Sequence, residues 1–274
     1  MSLPITPPAP QLPPRAILFD VFGTVVDWRT TVTRTLTETC AHSLSNPASS
    51  LASATRVRAS DLTIEDWGRF AQQWRNTYKH FTKTTDPKTT FISVDEHHHL
   101  ALQQLLREWK LDGLYNPEEL AKLSRVWHFL DPWPDSSRGI AELNKQGYTT
   151  ATLSNGNISL LSDLAAHAEL PFTHIFSSEH FRAYKPHPEV YKGAAERLGL
   201  KPEECVLVAA HLGDLKAARC CGFRTVYVER YQEEDWTPDE VERAKAWGWV
   251  DIWVGMDDPG LLEVVREIGK LTRD

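Results

Sequence analysis

The chain has 274 residues, of which 41% are hydrophobic and 24% are charged, values that are ordinary for a soluble globular protein. This length is enough for one large domain, or for a core domain that carries a smaller inserted one. The net charge of -7 argues against a nucleic-acid surface or an anionic membrane as partner. No apolar run reaches the roughly 18 residues that a membrane span needs.

Residues 1–14 contain six prolines and lack the basic start and apolar stretch of a signal peptide. We expect a disordered proline-rich tail, with a proline-rich docking ligand as the alternative. The four cysteines show no Cys-x-x-Cys spacing, which favours a reduced protein of the cytoplasm.

Short runs rich in β-branched residues recur along the chain and alternate with helical patterns. The predicted strands are Ala16–Phe19, Tyr148–Leu153, Ile175–Phe176, Cys205–Ala209, Thr225–Val228 and Trp249–Val254. The helical patterns between them cover Ser137–Gln146, Asn157–Glu169, Pro188–Leu198 and Leu215–Cys221. This alternation predicts an α/β fold with a doubly wound, Rossmann-like parallel sheet.

Residues 29–131 contain no convincing strand. Amphipathic patterns predict helices at Thr31–His42, Ile64–Lys83, Val94–Trp109 and Pro117–His128. The Ser- and Ala-rich residues 43–60 are predicted to be a loop or a frayed insert. The sequence therefore predicts a core domain of residues 15–28 and 132–274, and an inserted all-helical cap of residues 29–131.

Asp20 follows the first predicted strand and begins the segment Asp20-Val-Phe22-Gly-Thr24. Ligands of open parallel sheets bind beyond the carboxyl ends of the strands, where this carboxylate lies. The Gly-Thr pair adds a tight turn with a free hydroxyl. Asp20 is therefore the first candidate for a catalytic residue.

Three later segments place polar side chains at the same predicted edge. Ser154 and Asn155 end the second strand, where they could cap the next helix or help bind an anion at its N-terminus. Lys185 could be a solvated surface charge, or its ammonium could orient Asp20. Tyr191 lies one turn into the following helix and could point the same way.

After the fourth strand the chain reads Ala209-Ala210-His211, and Asp214 then opens a predicted helix. Asp214 could be an N-cap or a functional carboxylate. His211 could hydrogen-bond a water molecule or an oxygen of Asp20, or could signal a changed substrate.

These segments, in this order, resemble those of the L-2-haloacid dehalogenases (type II), a branch of the haloacid dehalogenase superfamily. The resemblance rests on Asp-x-Phe-Gly-Thr, Leu-Ser-Asn-Gly, Tyr-Lys-Pro and a lone Asp before Ala-Arg-x-x-Gly, and it covers the chain after residue 14. It implies the haloacid dehalogenase fold, hydrolysis of a carbon–halogen bond in a small haloacid with release of halide, and a homodimer.

The resemblance also implies roles for individual residues. Asp20 would be the nucleophile that forms an ester, and Lys185 would balance its charge. Asp214, with His211, would activate water, and Ser154 and Thr24 would hold the substrate carboxylate. The remaining implied positions are Arg75 and Asn155 around the halide, Phe22 and Tyr191 in the substrate pocket, and Phe91 as an aromatic lid residue.

Two departures from the phosphatases of the superfamily bear on the reaction. Phe22 stands where they carry a second Asp as general acid, and a phenyl ring cannot donate a proton. Ala209 and Ala210 stand where a further acidic residue would help hold magnesium, which leaves too few oxygen ligands. The sequence therefore predicts no metal and no cofactor.

Two alternatives remain open at this point. One is a small-molecule phosphatase, which needs magnesium and a second acid. The other is a catalytically quiet relative that binds a small carboxylate or a protein partner.

Overall fold

In a computed structural model of the chain, the structure describes residues 12–47, 50–85 and 92–269. The described residues fall into two compact units, one of residues 12–26 and 132–269 and the other of residues 27–47, 50–85 and 92–131. Among them, no helix is both long and apolar enough to cross a bilayer. The four cysteines are free thiols.

The first unit, called the core unit below, is built on a parallel sheet of six strands in the order β3-β2-β1-β4-β5-β6. The strands are β1 (Ala16–Phe19), β2 (Thr149–Ser154), β3 (His174–Ser177), β4 (Cys205–Ala209), β5 (Arg224–Val228) and β6 (Ile252–Val254). A sheet that is covered on both faces favours continuous apolar runs, and every residue of β1, β4 and β5 is buried. The predicted doubly wound sheet is confirmed.

Helices follow these strands as in βαβ units. They are α6 (Ser136–Lys145), α7 (Ile158–His167), α8 (Pro188–Arg197), α9 (Leu212–Cys220), α10 (Pro238–Trp247) and α11 (Leu261–Ile268). The sequence patterns predicted the first four and not α10 or α11. Short 3-10 helices at Ser178–Phe181 and Pro202–Glu204 complete the unit.

The second unit, called the helical unit, contains only helices among its described residues. They are α1 (Trp28–Ser45), α2 (Ser53–Ser60), α3 (Ile64–Thr84), α4 (Val94–Glu108), α5 (Pro117–Ser124) and a 3-10 helix at Arg125–His128. The expectation of a loop over residues 43–60 is wrong, because α1 continues to Ser45 and α2 forms within the segment. Helix α2 is fixed by distant contacts, including a hydrogen bond from Thr55 Oγ1 to the carbonyl of Asp112 (2.9 Å).

Four of the five tryptophans of the helical unit are buried in its interior, namely Trp28, Trp67, Trp74 and Trp127. Trp127 stacks on His98 at 4.5 Å between ring centroids, and Trp74 meets Trp127 edge-on at 5.4 Å. Burial lowers the pKa of His98 well below its usual value, so its ring is neutral and packs as an aromatic residue. The abundance of tryptophan in this unit thus reflects an aromatic core.

Most of the predicted disordered tail, residues 1–11, lies outside the described residues. Residues 12–14 differ from the prediction, because Pro14 is buried and the carbonyl of Leu12 accepts a hydrogen bond from Arg224 Nη2 at 2.8 Å. These contacts attach the end of the predicted tail to the core unit.

Candidate active site

The order of the sheet brings distant segments together at the carboxyl ends of its central strands. The strand order reverses direction between β1 and β4, which is where open α/β sheets bind ligands. Asp20 directly follows β1, and its backbone N–H donates to the carbonyl of Val208 in β4 (3.0 Å). The residues that follow β4 therefore face Asp20.

The two carboxylate oxygens of Asp20 have different partners. Oδ1 accepts a hydrogen bond from Lys185 Nζ at 2.8 Å. Oδ2 accepts one from Thr24 Oγ1 at 3.0 Å and lies 3.1 Å from His211 Nδ1. Burial alone would raise the pKa of Asp20, but Lys185 and His211 outweigh it and hold that pKa well below its usual range. Asp20 is thus a buried carboxylate that is kept ionised.

The Lys185 ammonium bridges two carboxylates. Besides Asp20, it donates to Asp214 Oδ2 at 2.6 Å. Burial would lower the pKa of Lys185, but the two carboxylates raise it above its usual value. The second oxygen of Asp214 accepts a hydrogen bond from the hydroxyl of Tyr191 (2.6 Å), and burial and that carboxylate raise the pKa of Tyr191 well above its usual value.

The position of Asp214 in its helix differs from the prediction. Helix α9 begins at Leu212 with His211 as its N-cap, so Asp214 lies inside the first turn. The N–H of Leu212 donates instead to Glu234 Oε2 at 2.9 Å. Because Glu234 satisfies this helix end, the carboxylate of Asp214 is available to Lys185 and Tyr191.

Asn155 holds the backbone that carries Lys185. Its Oδ1 accepts hydrogen bonds from the Lys185 N–H (2.7 Å) and from Ser178 Oγ (2.7 Å), and its Nδ2 donates to the Lys185 carbonyl (3.3 Å). The resemblance implies a halide contact for this side chain. Its contacts in the structure are those of a brace for the loop before α8.

Ser154 and Phe22 lie against the turn at Gly156. Ser154 is fully buried, and its Oγ accepts a hydrogen bond from the Gly156 N–H at 3.3 Å. The ring of Phe22 is buried too, and a Cβ on Gly156 would lie 3.3 Å from its Cε2 atom. Neither Ser154 nor Asn155 caps α7, since the N–H of Ile158 donates to Glu179 Oε2 (2.7 Å).

His211 lies between two buried carboxylates. Its Nδ1 faces Asp20, and its Nε2 lies 3.5 Å from Glu233 Oε2, an ion-pair distance. Burial disfavours the charged ring, but the hydrogen bond with Asp20 and the charges of Asp20 and Glu233 outweigh burial and raise the pKa of His211 to about 9. The ring is therefore an imidazolium at neutral pH, and each of its nitrogens faces a carboxylate.

Glu233 was not predicted from the sequence. It lies in the loop after β5, where the run Glu233-Glu234-Asp235 has the composition of a solvated surface, yet its side chain is buried. Gly23 makes room for it, because a Cβ at this glycine, whose φ is +83°, would collide with the Glu233 carboxylate. The available signal was the position of these acidic residues, at the carboxyl end of a strand in the same sheet as β1.

Arg230 fastens this loop to the segment after Asp20. Its Nε donates to the carbonyl of Thr24 at 3.1 Å, and its guanidinium makes a bidentate pair with Asp135 at 2.9 and 2.7 Å. Trp133 Nε1 donates to the carbonyl of Gly23 at 3.0 Å. The segment Asp20–Thr24 and the loop that carries Glu233 are thereby held in one arrangement.

Together, these contacts form a chain of alternating charge, Asp214–Lys185–Asp20–His211–Glu233, with distances of 2.6, 2.8, 3.1 and 3.5 Å between neighbours. Of the residues expected at the site, this network unites Asp20, Thr24, Lys185, Tyr191, His211 and Asp214. Asn155 joins it through the backbone of Lys185, while Ser154 and Phe22 lie at the turn around Gly156.

The remaining expected residues belong to the helical unit. Arg75 is buried in α3, where its guanidinium lies over the rings of Tyr78 (4.8 Å) and Trp28 (5.7 Å). Phe91 lies outside the described residues. The implied roles of Arg75 and Phe91 stay predictions.

The carboxylates of the site are paired with cationic side chains. Asp20 and Asp214 share the Lys185 ammonium, and Glu233 faces the imidazolium of His211. Within residues 12–47, 50–85 and 92–269, no group of three or more His, Cys, Asp or Glu side chains is arranged to hold a metal ion. This donor set does not fit a magnesium ion.

Comparisons with known proteins agree with this geometry. Residues 14–222 match the family model of the haloacid dehalogenase-like hydrolases. The chain is 30% identical to (S)-2-haloacid dehalogenase 1 of Pseudomonas sp. (strain CBS-3) over 80% of its length and 86% of that protein. It superposes on the crystal structure of a defluorinating L-2-haloacid dehalogenase with a TM-score of 0.75 and 34% identity, covering 93% of this chain and 95% of that one.

A shorter similarity reaches a phosphatase. The chain is 30% identical to the glyceraldehyde 3-phosphate phosphatase of Pyrococcus furiosus over 46% of its length and 57% of that protein.

Proposed function

Because the chain belongs to the haloacid dehalogenase-like hydrolases, we propose that it hydrolyses short-chain (S)-2-haloacids to 2-hydroxyacids through an ester of Asp20, without a metal ion. The observation that carries this proposal is the environment of Asp20, a buried carboxylate that Lys185 and His211 keep ionised. An ionised carboxylate can act as a nucleophile. Halide needs no proton to leave, so Phe22 in place of a general acid is compatible with this reaction.

In the first step, Asp20 attacks the carbon that bears the halogen, and halide departs with inversion. Ser154 and backbone N–H groups of the turn after β2 bind the substrate carboxylate. The resemblance also assigned Thr24 to this task. Its hydroxyl already donates to Asp20 and accepts from the Ala210 N–H at 3.0 Å, so we assign Thr24 to orienting the nucleophile.

In the second step, water attacks the Asp20 carbonyl carbon and releases the hydroxyacid, which carries an oxygen of Asp20. Asp214 accepts the proton of this water, and Tyr191 and Lys185 hold Asp214 in place. Lys185 also offsets the charge of Asp20 in the free enzyme. The proposed contact of Arg75 with the halide rests on the resemblance alone.

A phosphatase is the second candidate, favoured by the similarity to the glyceraldehyde 3-phosphate phosphatase. It would need a proton donor for the leaving group and a magnesium site. Phe22, Ala209 and Ala210 supply neither, and Lys185 is bonded to both Asp20 and Asp214. These residues favour the dehalogenase over the phosphatase, and the ionised network favours it over a catalytically quiet relative.

The first test is halide release from L-2-chloropropionate in the presence of EDTA, with an Asp20→Asn variant as control. We expect release by the native protein and a loss of at least about 10³-fold in the variant, because the nucleophile is removed. Magnesium-dependent hydrolysis of p-nitrophenyl phosphate without halide release would favour the phosphatase. Inactivity in both assays would favour a binding role.

The homodimer is also proposed from the resemblance, and the cytoplasmic location from the cysteine pattern. Light scattering on the purified chain would measure its mass in solution, and a mass of one chain at micromolar concentration would contradict the dimer.

A further inference from the structure

The two oxygens of Asp20 are equipped for different tasks. When one oxygen attacks the substrate, the other becomes the carbonyl oxygen of the ester. Water that adds to the ester then places a negative charge on that carbonyl oxygen. Donors at 2.7–3.1 Å from such an oxygen stabilise the charge.

Oδ2 of Asp20 has these donors. Thr24 Oγ1 and His211 Nδ1 lie 3.0 and 3.1 Å from it, whereas Oδ1 accepts one hydrogen bond, from Lys185. Attack through Oδ1 leaves both donors on Oδ2 undisturbed. Oδ1 is therefore the attacking oxygen, and Oδ2 becomes the oxyanion.

His211 can donate to an oxyanion only while Nδ1 carries a proton, and the donor is strongest while the ring is charged. In the free enzyme, both Asp20 and Glu233 favour the charged ring. Esterification removes the charge of Asp20 and leaves Glu233 as the carboxylate that faces the ring, at Nε2. The role of Glu233 is thus greatest in the ester.

Glu233 is held in this place from several sides. Gly23 leaves the space that its carboxylate fills, and Arg230 ties the loop to the carbonyl of Thr24. A buried carboxylate is unfavourable unless it is paired, and His211 is its ion-pair partner. The segment Asp20–Thr24 and the loop that carries Glu233 therefore have complementary shapes.

We propose that Glu233 is a positioning residue that keeps His211 a charged donor to Asp20 Oδ2, and that this pair stabilises the oxyanion formed during hydrolysis of the Asp20 ester. The inference rests on the proposed dehalogenase reaction. Water oxygen bonds to Cγ, its proton passes to Asp214, and the carbonyl electron pair moves to Oδ2. The C=O bond then re-forms, the Cγ–Oδ1 bond breaks, and the departing alkoxide takes the proton from Asp214. Asp20 is left as a carboxylic acid that carries the second proton of the water, and it returns to the carboxylate by releasing this proton to solvent.

Glu233→Gln should slow hydrolysis of the Asp20 ester and leave formation of the ester nearly unchanged. We expect a first-turnover burst of about one halide per active site at near-native rate, because ester formation does not use the oxyanion donors. Steady-state release should fall about 10- to 100-fold, less than when an oxyanion donor is removed outright, because Gln leaves the imidazole in place. Rapid-quench halide assays and intact-mass detection of the accumulated Asp20 ester would measure these effects.

The control is Glu234→Gln in the same loop. Its carboxylate accepts from the N–H groups of Leu212 and Trp236 and lies outside the charge chain. We expect the ratio of burst rate to steady-state rate to stay native in this variant. A general disturbance of the loop would change both variants alike.

Introducing Glu233→Gln into a His211→Asn protein tests whether Glu233 acts through His211. His211→Asn keeps a neutral donor, so adding Glu233→Gln to it should cause little further loss. Two outcomes would overturn this inference and leave the proposed dehalogenase reaction standing. One is an equal loss of the burst rate and the steady-state rate in Glu233→Gln. The other is a Glu233→Gln effect in the His211→Asn protein that is as large as in the native protein. If the native protein releases no halide from L-2-chloropropionate, the proposed function fails and the inference fails with it.

Discussion

Burial lowers the pKa of His211 and the neighbouring carboxylates raise it, and the carboxylates have the larger effect. Its pKa rises from about 6.5 in the unfolded chain to about 9 in the folded one, because Asp20 and Glu233 face its two nitrogens. Because the folded protein binds this proton more tightly than the unfolded chain, the protonated ring makes its full contribution to the free energy of unfolding below pH 6.5. This contribution is lost as the pH rises through 9.

We therefore predict that the free energy of unfolding decreases between pH 6.5 and 9, by at most ~3 kcal/mol from this residue at 1.36 kcal/mol per pKa unit. Urea titrations at pH 6, 7.5 and 9 would measure it. Other groups also titrate in this range, so the comparison is with His211→Asn, whose stability should depend less on pH. Parallel curves for the two proteins would show that His211 is not the group responsible.

Glu233 marks the limit of what sequence alone could predict about the site. Asp20, Lys185 and Asp214 were found because their motifs follow short apolar strands along the chain, and the topology brings the carboxyl ends of these strands together. Glu233 was missed because its burial depends on Gly23, which is distant in sequence and has no side chain to signal the contact. The brace made by Asn155 was missed for a similar reason, since its partner is the backbone of Lys185.

At the scale of elements, the loop before α8 depends on the Asn155 side chain. Asn155→Ala would leave the N–H of Lys185 without its acceptor, and we expect a loss of ~1–3 kcal/mol of stability and a marked fall in kcat as the Lys185 ammonium shifts. Urea unfolding and steady-state halide release would measure both effects.

Asn155→Asp distinguishes the brace from the halide contact implied by the resemblance. An aspartate keeps both acceptor contacts of Oδ1 but places a carboxylate oxygen against the Lys185 carbonyl where Nδ2 donated. The brace predicts that this variant retains more stability and activity than Asn155→Ala. A halide contact predicts a loss at least as large as for Asn155→Ala, because a carboxylate repels halide.

The strands were predicted more accurately than the helical unit for a physical reason. A strand that is buried on both faces needs a continuous apolar run, which is visible in the sequence. Helix α2 has Ser and Ala in place of an apolar stripe, and contacts such as that of Thr55 with Asp112 help to fix it. Such contacts cannot be read from local pattern.

At the scale of the whole molecule, the helical unit is a single insertion whose ends meet. The N–H of Asp27 donates to the carbonyl of Asp131 at 2.9 Å, and the Asp131 N–H donates to Thr31 Oγ1 at 3.1 Å. In the core unit, Val26 pairs with Pro132 in an antiparallel bridge. The two ends of the core chain, at Val26 and Pro132, are therefore already adjacent where the insertion begins and ends.

We predict that replacing residues 27–131 by a short Gly-Ser linker leaves a core unit that folds, because closing so short a loop costs little entropy. The shortened chain should show mixed α/β circular dichroism and cooperative urea unfolding, and should lack halide release because Arg75 is gone. A non-cooperative transition would show that the core depends on the helical unit.

The strand order also has a consequence for biosynthesis. Strand β1 is made first but lies between β2 and β4, and the hydrogen bond between Asp20 and His211 joins residues 191 positions apart. At about 5–20 residues per second, a ribosome needs roughly 10–40 s to make that stretch. Strand β1 lacks both neighbours until β2 is made and lacks β4 for longer, so the nascent chain carries an exposed strand edge that we expect chaperones to shield.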